Sequence, residues 1–261
     1  MHAPPHRAPL PPAFLVAPIA HRALHDRAAR RPENSPAAIR AAVQAGYGIE
    51  IDLQLSADGQ AMVFHDERLD RLTAETGPLA TRTAADLGRI PLRDSEEAIP
   101  TLTDILALIA GRVPLLIEIK DQSLALTATD GRLEQATAAA LQVYGGPVAV
   151  MSFNPHSVAH MARLAPQVPR GLTTCDYYPD HWPAISPETR ARLRDIPDYD
   201  ATGSSFISHQ AADLARPRVA ALRAQGAAIL CWTIRSPQAE AAAREFAQNI
   251  TFEGYAAAHP A

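Results

Sequence analysis

Short apolar runs of strand length recur along this chain, and helix-length stretches separate most of them. Strands are predicted at residues 15–20, 48–54, 114–120, 147–151, 169–174, 201–207, 227–233 and 249–252, with a short partner at 61–64. Helices are predicted at 37–45, 103–110, 133–144, 157–164, 213–225 and 238–247. Ser35-Pro36 marks one helix start, a cap residue followed by a proline whose missing N–H costs nothing in the first turn. Gly46 marks that helix's end. Apolar strands joined by helices pair in parallel, because a crossover is needed to bring each strand back in the same direction. Eight strands on the main path fit a (β/α)8 TIM barrel. A doubly wound open sheet is the alternative, but no glycine-rich phosphate loop follows the first strand. One domain over 1–261 is expected. Within it, the polar, turn-rich segment 67–99 forms a small insertion after the second strand, carrying a short helix at 84–88.

Two strands carry unusual charge. In Gly48-Ile-Glu-Ile-Asp-Leu-Gln54 the apolar residues point one way and Glu50, Asp52 and Gln54 the other. Pro114-Leu-Leu-Ile-Glu-Ile-Lys120 repeats the pattern, with Leu116, Glu118 and Lys120 on one face. Charged groups on strands that are otherwise apolar are costly unless something pairs them. A barrel supplies a purpose, since the C-terminal ends of its strands build the active site. His21 and Arg22, His65 and Trp232 are predicted at the same end. Three carboxylates suit a hard divalent cation, Mg²⁺ or Ca²⁺, which takes oxygen ligands. Arg22 and Lys120 suit a phosphate, and two histidines can divide acid and base work. These are the groups that phosphoester cleavage needs.

Composition narrows the class. Lys120 is the one lysine in the chain, where every other long basic side chain is arginine. That choice suggests a site wanting a compact ammonium rather than a planar fork. The formal net charge of −4 is too near neutral for nucleic acid as the main partner. The apolar run at 13–20 is interrupted by Pro18 and too short to span a bilayer, so a cytoplasmic protein without stable membrane insertion is expected. Cys175 and Cys231 have no metal-ligand spacing, and Cys231 is read as a core thiol.

The chain resembles the glycerophosphodiester phosphodiesterase family. The matching stretches are His21-Arg22, Pro32-Glu33-Asn34-Ser35, Glu50-Ile-Asp52, Ser56-Ala-Asp-Gly59, His65-Asp66 with Leu69-Asp70-Arg71, Ile99-Pro-Thr-Leu102, Glu118-Ile-Lys120, Ser152-Phe153 and Trp232-Thr233. They run in the family's order along nearly the whole chain. The resemblance implies a (β/α)8 barrel with an insertion after its second strand. It implies a divalent metal on Glu50, Asp52 and Glu118, and His21 and His65 as the acid/base pair. Arg22 and Lys120 would lie near the phosphate, with Trp232 lining the pocket. The implied reaction splits a glycerophosphodiester into glycerol 3-phosphate and an alcohol. The alternatives are a lysophospholipase D-type or cyclising phosphodiesterase on the same barrel, and a noncatalytic protein that binds a phosphodiester.

The chain departs from the family pattern in two places. Ala23 stands where a glycine usually follows His-Arg, so the first loop is expected to turn differently. Thr251-Phe-Glu-Gly254 replaces a Thr-Asp pair after the last strand. His25 and Asp26 are read as ordinary loop residues. Residues 175–199 are read as a loop whose Tyr177, Tyr178, His181 and Trp182 are surface aromatics. His209 is placed at the rim, and His156, His160 and His259 on the surface.

Overall fold

Nine strands form one sheet: β1 (Ile19–Ala20), β2 (Gly48–Leu55), β3 (Ala61–Val63), β4 (Leu115–Ile119), β5 (Val148–Ser152), β6 (Arg170–Thr174), β7 (Phe206–Gln210), β8 (Ala228–Ile234) and β9 (Asn249–Phe252). The computed structural model describes residues 5–259. Pairing runs β1-β9-β8-β7-β6-β5-β4-β2, all parallel, and β1 pairs with β2 to close the ring. This is a TIM barrel of eight parallel strands. β3 lies antiparallel on the outer end of β2, with Leu53 opposite Val63.

Strand alternation sets the two layers. Ile49, Ile51 and Leu53 are fully buried in one apolar cluster with Ala38, Ile39 and Ala42 of the helix Pro36–Ala45. That helix begins where its cap predicts: the Ser35 side chain accepts a hydrogen bond from the Ala38 amide at 3.1 Å. The opposite strand faces fill the barrel. Phe14, Ile19, Leu116, Ala149, Met151, Phe206 and Leu230 form an apolar plug there, each contributing roughly 1.5–3 kcal/mol if large and fully buried. Glu50, Asp52 and Glu118 lie on the face that looks inward, and the register sets Asp52 opposite Glu118 on the neighbouring strand.

Several element boundaries differ from the sequence expectation, each for a local reason. Residues 13–16 are a short helix and only Ile19–Ala20 pairs as strand. Pro18, without an N–H, separates the two. The strand expected at 201–207 begins at Phe206, because the preceding residues turn, with Gly203 at φ 61°. The helix expected from 213 starts at Pro217, after Arg216 in extended backbone. Residues 175–199 contain the helix Pro187–Arg194. Its Ser186-Pro187 start repeats the Ser35-Pro36 signal. Residues 67–99 add no strand to the sheet and gather their own apolar cluster, Leu69, Leu79, Leu87, Ile90 and Leu92 against Met62 and Phe64. No helix among the described residues is long and apolar enough to cross a membrane.

Candidate active site

The ends of β1, β2, β3, β4 and β8 bring the predicted acid/base, metal and phosphate residues to one cavity. His21, Arg22, Glu50, Asp52, His65, Glu118, Lys120 and Trp232 all line a pocket of about 170 Å³. It shares His65, Glu118, Lys120, Phe153 and Trp232 with a wider cleft of about 620 Å³.

Three carboxylates form the floor. Glu50, Asp52 and Glu118 are 1%, 1% and 6% exposed, and each offers an oxygen within 4.8 Å of the others. Lys120, just past the end of β4, places Nζ 2.7 Å from Asp52 and 2.5 Å from Glu118. Burial disfavours an ammonium, yet Asp52 and Glu118 outweigh it and hold Lys120 well above the usual lysine range. Burial likewise opposes the Asp52 charge, but Lys120, His65 and Arg22 drive that carboxyl well below the ordinary range. Glu50 goes the other way. Burial first, then the charges of Asp52 and Glu118, push it well above the carboxylate range.

The first loop is a tight turn over this floor. Arg22 and Ala23 both have positive φ, 50° and 66°. Ala23 thus takes the left-handed conformation a glycine would favour. The Cβ penalty is about 1–2 kcal/mol. The turn aims the Arg22 amide at Glu50 Oε2 (2.8 Å). The Arg22 guanidinium donates to Glu33 at 2.8 Å, and its Nε, 3.6 Å from Asp52, is buried without a hydrogen-bond partner. Asn34 Nδ2 donates to Asp52 at 2.9 Å and fixes that carboxylate from the other side.

Each histidine rests on a carboxylate. His21 Nδ1 lies 2.5 Å from Glu253 Oε2, and His65 Nδ1 lies 2.7 Å from Asp66 Oδ1. Hydrogen bonding from His21, with His25 and Arg235 adding to it, holds Glu253 well below the carboxylate range. An ionised carboxylate only accepts, so Nδ1 of His21 carries the proton and Nε2 is left to the cavity. Burial keeps His21 below the ordinary imidazole range despite the bond to Glu253.

Arg71, from the 67–99 segment, ties the second histidine to the first loop. It donates to Glu33 at 2.8 and 2.7 Å and to Asp66 at 2.6 and 2.9 Å. Burial would raise both carboxyls, but the arginines, with His65 at Asp66, outweigh it and both lie low. The stabilisation is fully present above the ordinary carboxylate range and is lost as pH falls through the lowered folded values. Arg71→Ala is expected to cost about 1 kcal/mol at pH 7, after discounting for the exposure of Arg71. Urea unfolding at pH 7 and at about pH 3 checks this; the gap from wild type narrows at the lower pH, where the carboxyls begin to protonate. An unchanged gap would show that Arg71 acts by packing instead.

Three assignments change. His25 is not an ordinary loop residue: its Nε2 lies 3.5 Å from Glu253. Tyr177 is buried, and Trp182 packs at a tilt on Phe153, ring centroids 5.0 Å apart, while Phe153 meets Trp232 edge-on at 5.5 Å. Phe153, Trp182 and Trp232 form a wall of the cleft, while Tyr178 is exposed. His209 is fully buried and bonded to Thr174 Oγ1 at 2.8 Å, so it belongs to the core and not the rim. His259 lies on the surface as expected, its ring stacked on Tyr47 at 4.7 Å. The roles of Glu253, Glu33, Asn34 and Asp66 were not read from the sequence. Only the Pro32-Glu33-Asn34-Ser35 and His65-Asp66 motifs offered a signal.

A closed parallel barrel with buried carboxylates, two cations and two carboxylate-bound histidines at the C-terminal ends of its strands defines a TIM-barrel protein with a phosphoester-type polar site. The chain belongs to the glycerophosphoryl diester phosphodiesterase family, whose model matches residues 21–251. A glycerophosphodiester phosphodiesterase of Caldanaerobacter subterraneus is 32% identical over 151 residues, covering 54% of this chain and 60% of that one. One from Bacillus altitudinis is 32% identical over 154 residues, covering 56% and 62%. The matches thus span about three fifths of the length of these relatives. The fold is shared with an Oleispira antarctica phosphodiesterase solved with its product sn-glycerol-3-phosphate, at TM-score 0.72, 23% identity and coverage of 92% and 94%.

Proposed function

We propose that this protein hydrolyses glycerophosphodiesters to glycerol 3-phosphate and an alcohol, with a divalent metal bound by Glu50, Asp52 and Glu118. The observation that carries the reading is the convergence of two histidines, two cations and three carboxylates on one small cavity. The donor set fits a metal: the oxygens are close, buried and all carboxylate. Oxygen-only ligation favours Mg²⁺ or Ca²⁺. Such an ion, when bound, polarises a phosphoryl oxygen as a Lewis acid.

The chain's own groups supply the remainder. The unpartnered Nε of Arg22 and the Lys120 ammonium bind and neutralise the phosphate. Each histidine is oriented through Nδ1, leaving Nε2 for proton transfer. One takes the proton from the attacking hydroxyl or water, and the other protonates the leaving alcohol oxygen. Trp232, with its Nε1 donating to the Ser208 carbonyl at 3.0 Å, holds one wall. The reading places the reaction in the cytoplasm, a setting that suits two buried free cysteines.

The wider cleft favours a second substrate reading. Leu124, Leu126, Phe153, Trp182 and Ile185 line it, and Leu124 is half exposed. That surface suits a bulky apolar alcohol, as in a lysophospholipid. Glycerol 3-phosphate release from a substrate panel, with Mg²⁺, with Ca²⁺ and with excess chelator, tests both. Release is expected with metal and is expected to fall to background with chelator. A lysophospholipid that releases a phosphorylated lipid and free head-group alcohol would move the assignment to the second reading. No turnover of any substrate with either metal would leave a phosphodiester-binding protein.

A further inference from the structure

We propose that His21, His25 and Glu253 form a second metal site, selective for a borderline cation such as Zn²⁺, whose occupation withdraws His21 from proton transfer. The ligand atoms lie within 4.8 Å of one another. Two imidazoles and one carboxylate are a zinc donor set, whereas the all-oxygen cluster of Glu50, Asp52 and Glu118 suits hard cations. The two clusters therefore sort metals by chemistry although both touch one cavity.

The geometry is close to what a tetrahedral ion needs. Ligand atoms around such an ion stand roughly 3.4 Å apart, given metal–ligand distances of about 2.0–2.1 Å. His25 Nε2 and Glu253 Oε2 already stand 3.5 Å apart. His21 Nδ1 is 2.5 Å from the same oxygen and moves roughly 1 Å outward when a metal replaces the shared proton. His25 Nε2 is buried and faces Glu253 Oε2 at the edge of hydrogen-bond reach, 3.5 Å, a gap that a metal ion between the two would bridge. Arg235 engages Glu253 Oε1 at 2.8 Å, so Oε2 stays turned toward the two rings. Arg235 and Arg22 oppose an added positive charge, and the ionised Glu253 offsets one of them.

The site has its own approach. His25 and Glu253 also line a separate cleft of about 570 Å³, with Asp26, Tyr47 and Tyr255. His21 lines the active cavity and not this cleft. An ion can therefore enter without crossing the substrate cavity, and water from the cleft completes its coordination. On binding, the Nδ1–H bond of His21 breaks and an Nδ1–metal bond forms, while the displaced proton is relayed by water to Nε2, so the ring stays neutral with its proton on the other nitrogen. That Nε2–H is then a donor only and cannot accept a proton. This consequence rests on the role proposed above for His21; the binding itself does not.

The test titrates Zn²⁺ into the Mg²⁺-saturated enzyme by calorimetry, for wild type, His25→Ala and His25→Gln, alongside steady-state rates and Co²⁺ absorption spectra. One Zn²⁺ per chain is expected in wild type, weakened about tenfold or more in both variants. The variants keep wild-type activity in Mg²⁺ alone, which also reports that they fold. Zn²⁺ is expected to inhibit wild type and to lose potency by the same factor in the variants. Co²⁺ should give the intense visible bands of a four-coordinate site in wild type only. Equal Zn²⁺ affinity in all three proteins would overturn the site. Binding that depends on His25 with turnover untouched would overturn the withdrawal of His21. If no phosphodiester is turned over, calorimetry and the Co²⁺ spectrum still decide whether the site exists.

Discussion

Replacing His21 with alanine is expected to lower kcat by about 10²–10⁴-fold while leaving Mg²⁺ affinity unchanged, and His65→Ala should do the same. The two rings reach the carboxylate cluster from separate loops, one after β1 and one after β3. Neither is held by Glu50, Asp52 or Glu118; their Nδ1 atoms are engaged by Glu253 and Asp66. Truncation therefore removes a proton carrier without opening the metal cluster. The double variant should be little slower than either single one, because residues that act as a unit are not additive. The decisive measurement is kcat for each variant beside calorimetric Mg²⁺ affinity. Turnover that survives both changes would remove the histidines from the mechanism. Loss of metal binding in either would make them structural.

Lys120→Ala is expected to damage both stability and rate. The ammonium lies between two buried carboxylates, 2.7 and 2.5 Å away. Removing one partner from a buried charge cluster costs about 3–5 kcal/mol, because the remaining charges lose their compensation. Added Mg²⁺ or Ca²⁺ should restore part of that loss, since it supplies positive charge to the same oxygens. Lys120→Arg separates charge from shape. It keeps a cation, but a planar fork replaces a compact ammonium in a tight buried space. Its kcat/KM is expected to fall by about 10²-fold, the scale for losing one aligned electrostatic donor. Thermal melts with and without metal, read beside kcat/KM, distinguish these outcomes. An arginine variant of wild-type rate would show that charge alone matters there.

The sequence legibly specified the barrel and the inward-facing acids, because both depend on local periodicity. Two-residue alternation put Glu50 and Asp52 on the face opposite Ile49 and Ile51. Apolar strands joined by helices demanded parallel pairing. The Ser35-Pro36 pair also marks one helix start in the sequence, and the same Ser-Pro signal begins the helix at 187. The errors came where a local rule was overridden by its neighbours. Pro18 and Pro217 shortened elements that apolar content alone had lengthened.

What surrounds each reactive group was decided by tertiary structure. Glu253 lies 232 residues from His21 in the chain, yet meets its Nδ1 because β1 and β9 close the ring. Arg71 reaches Glu33 and Asp66 only because the 67–99 segment folds back over the first loop. His25 had no signal of its own, since its significance depends on that closure. Residue types and spacing report which chemistry a strand end can carry. Which carboxylate orients a histidine, and which nitrogen is left unpaired, depends on contacts between distant segments that no local pattern encodes.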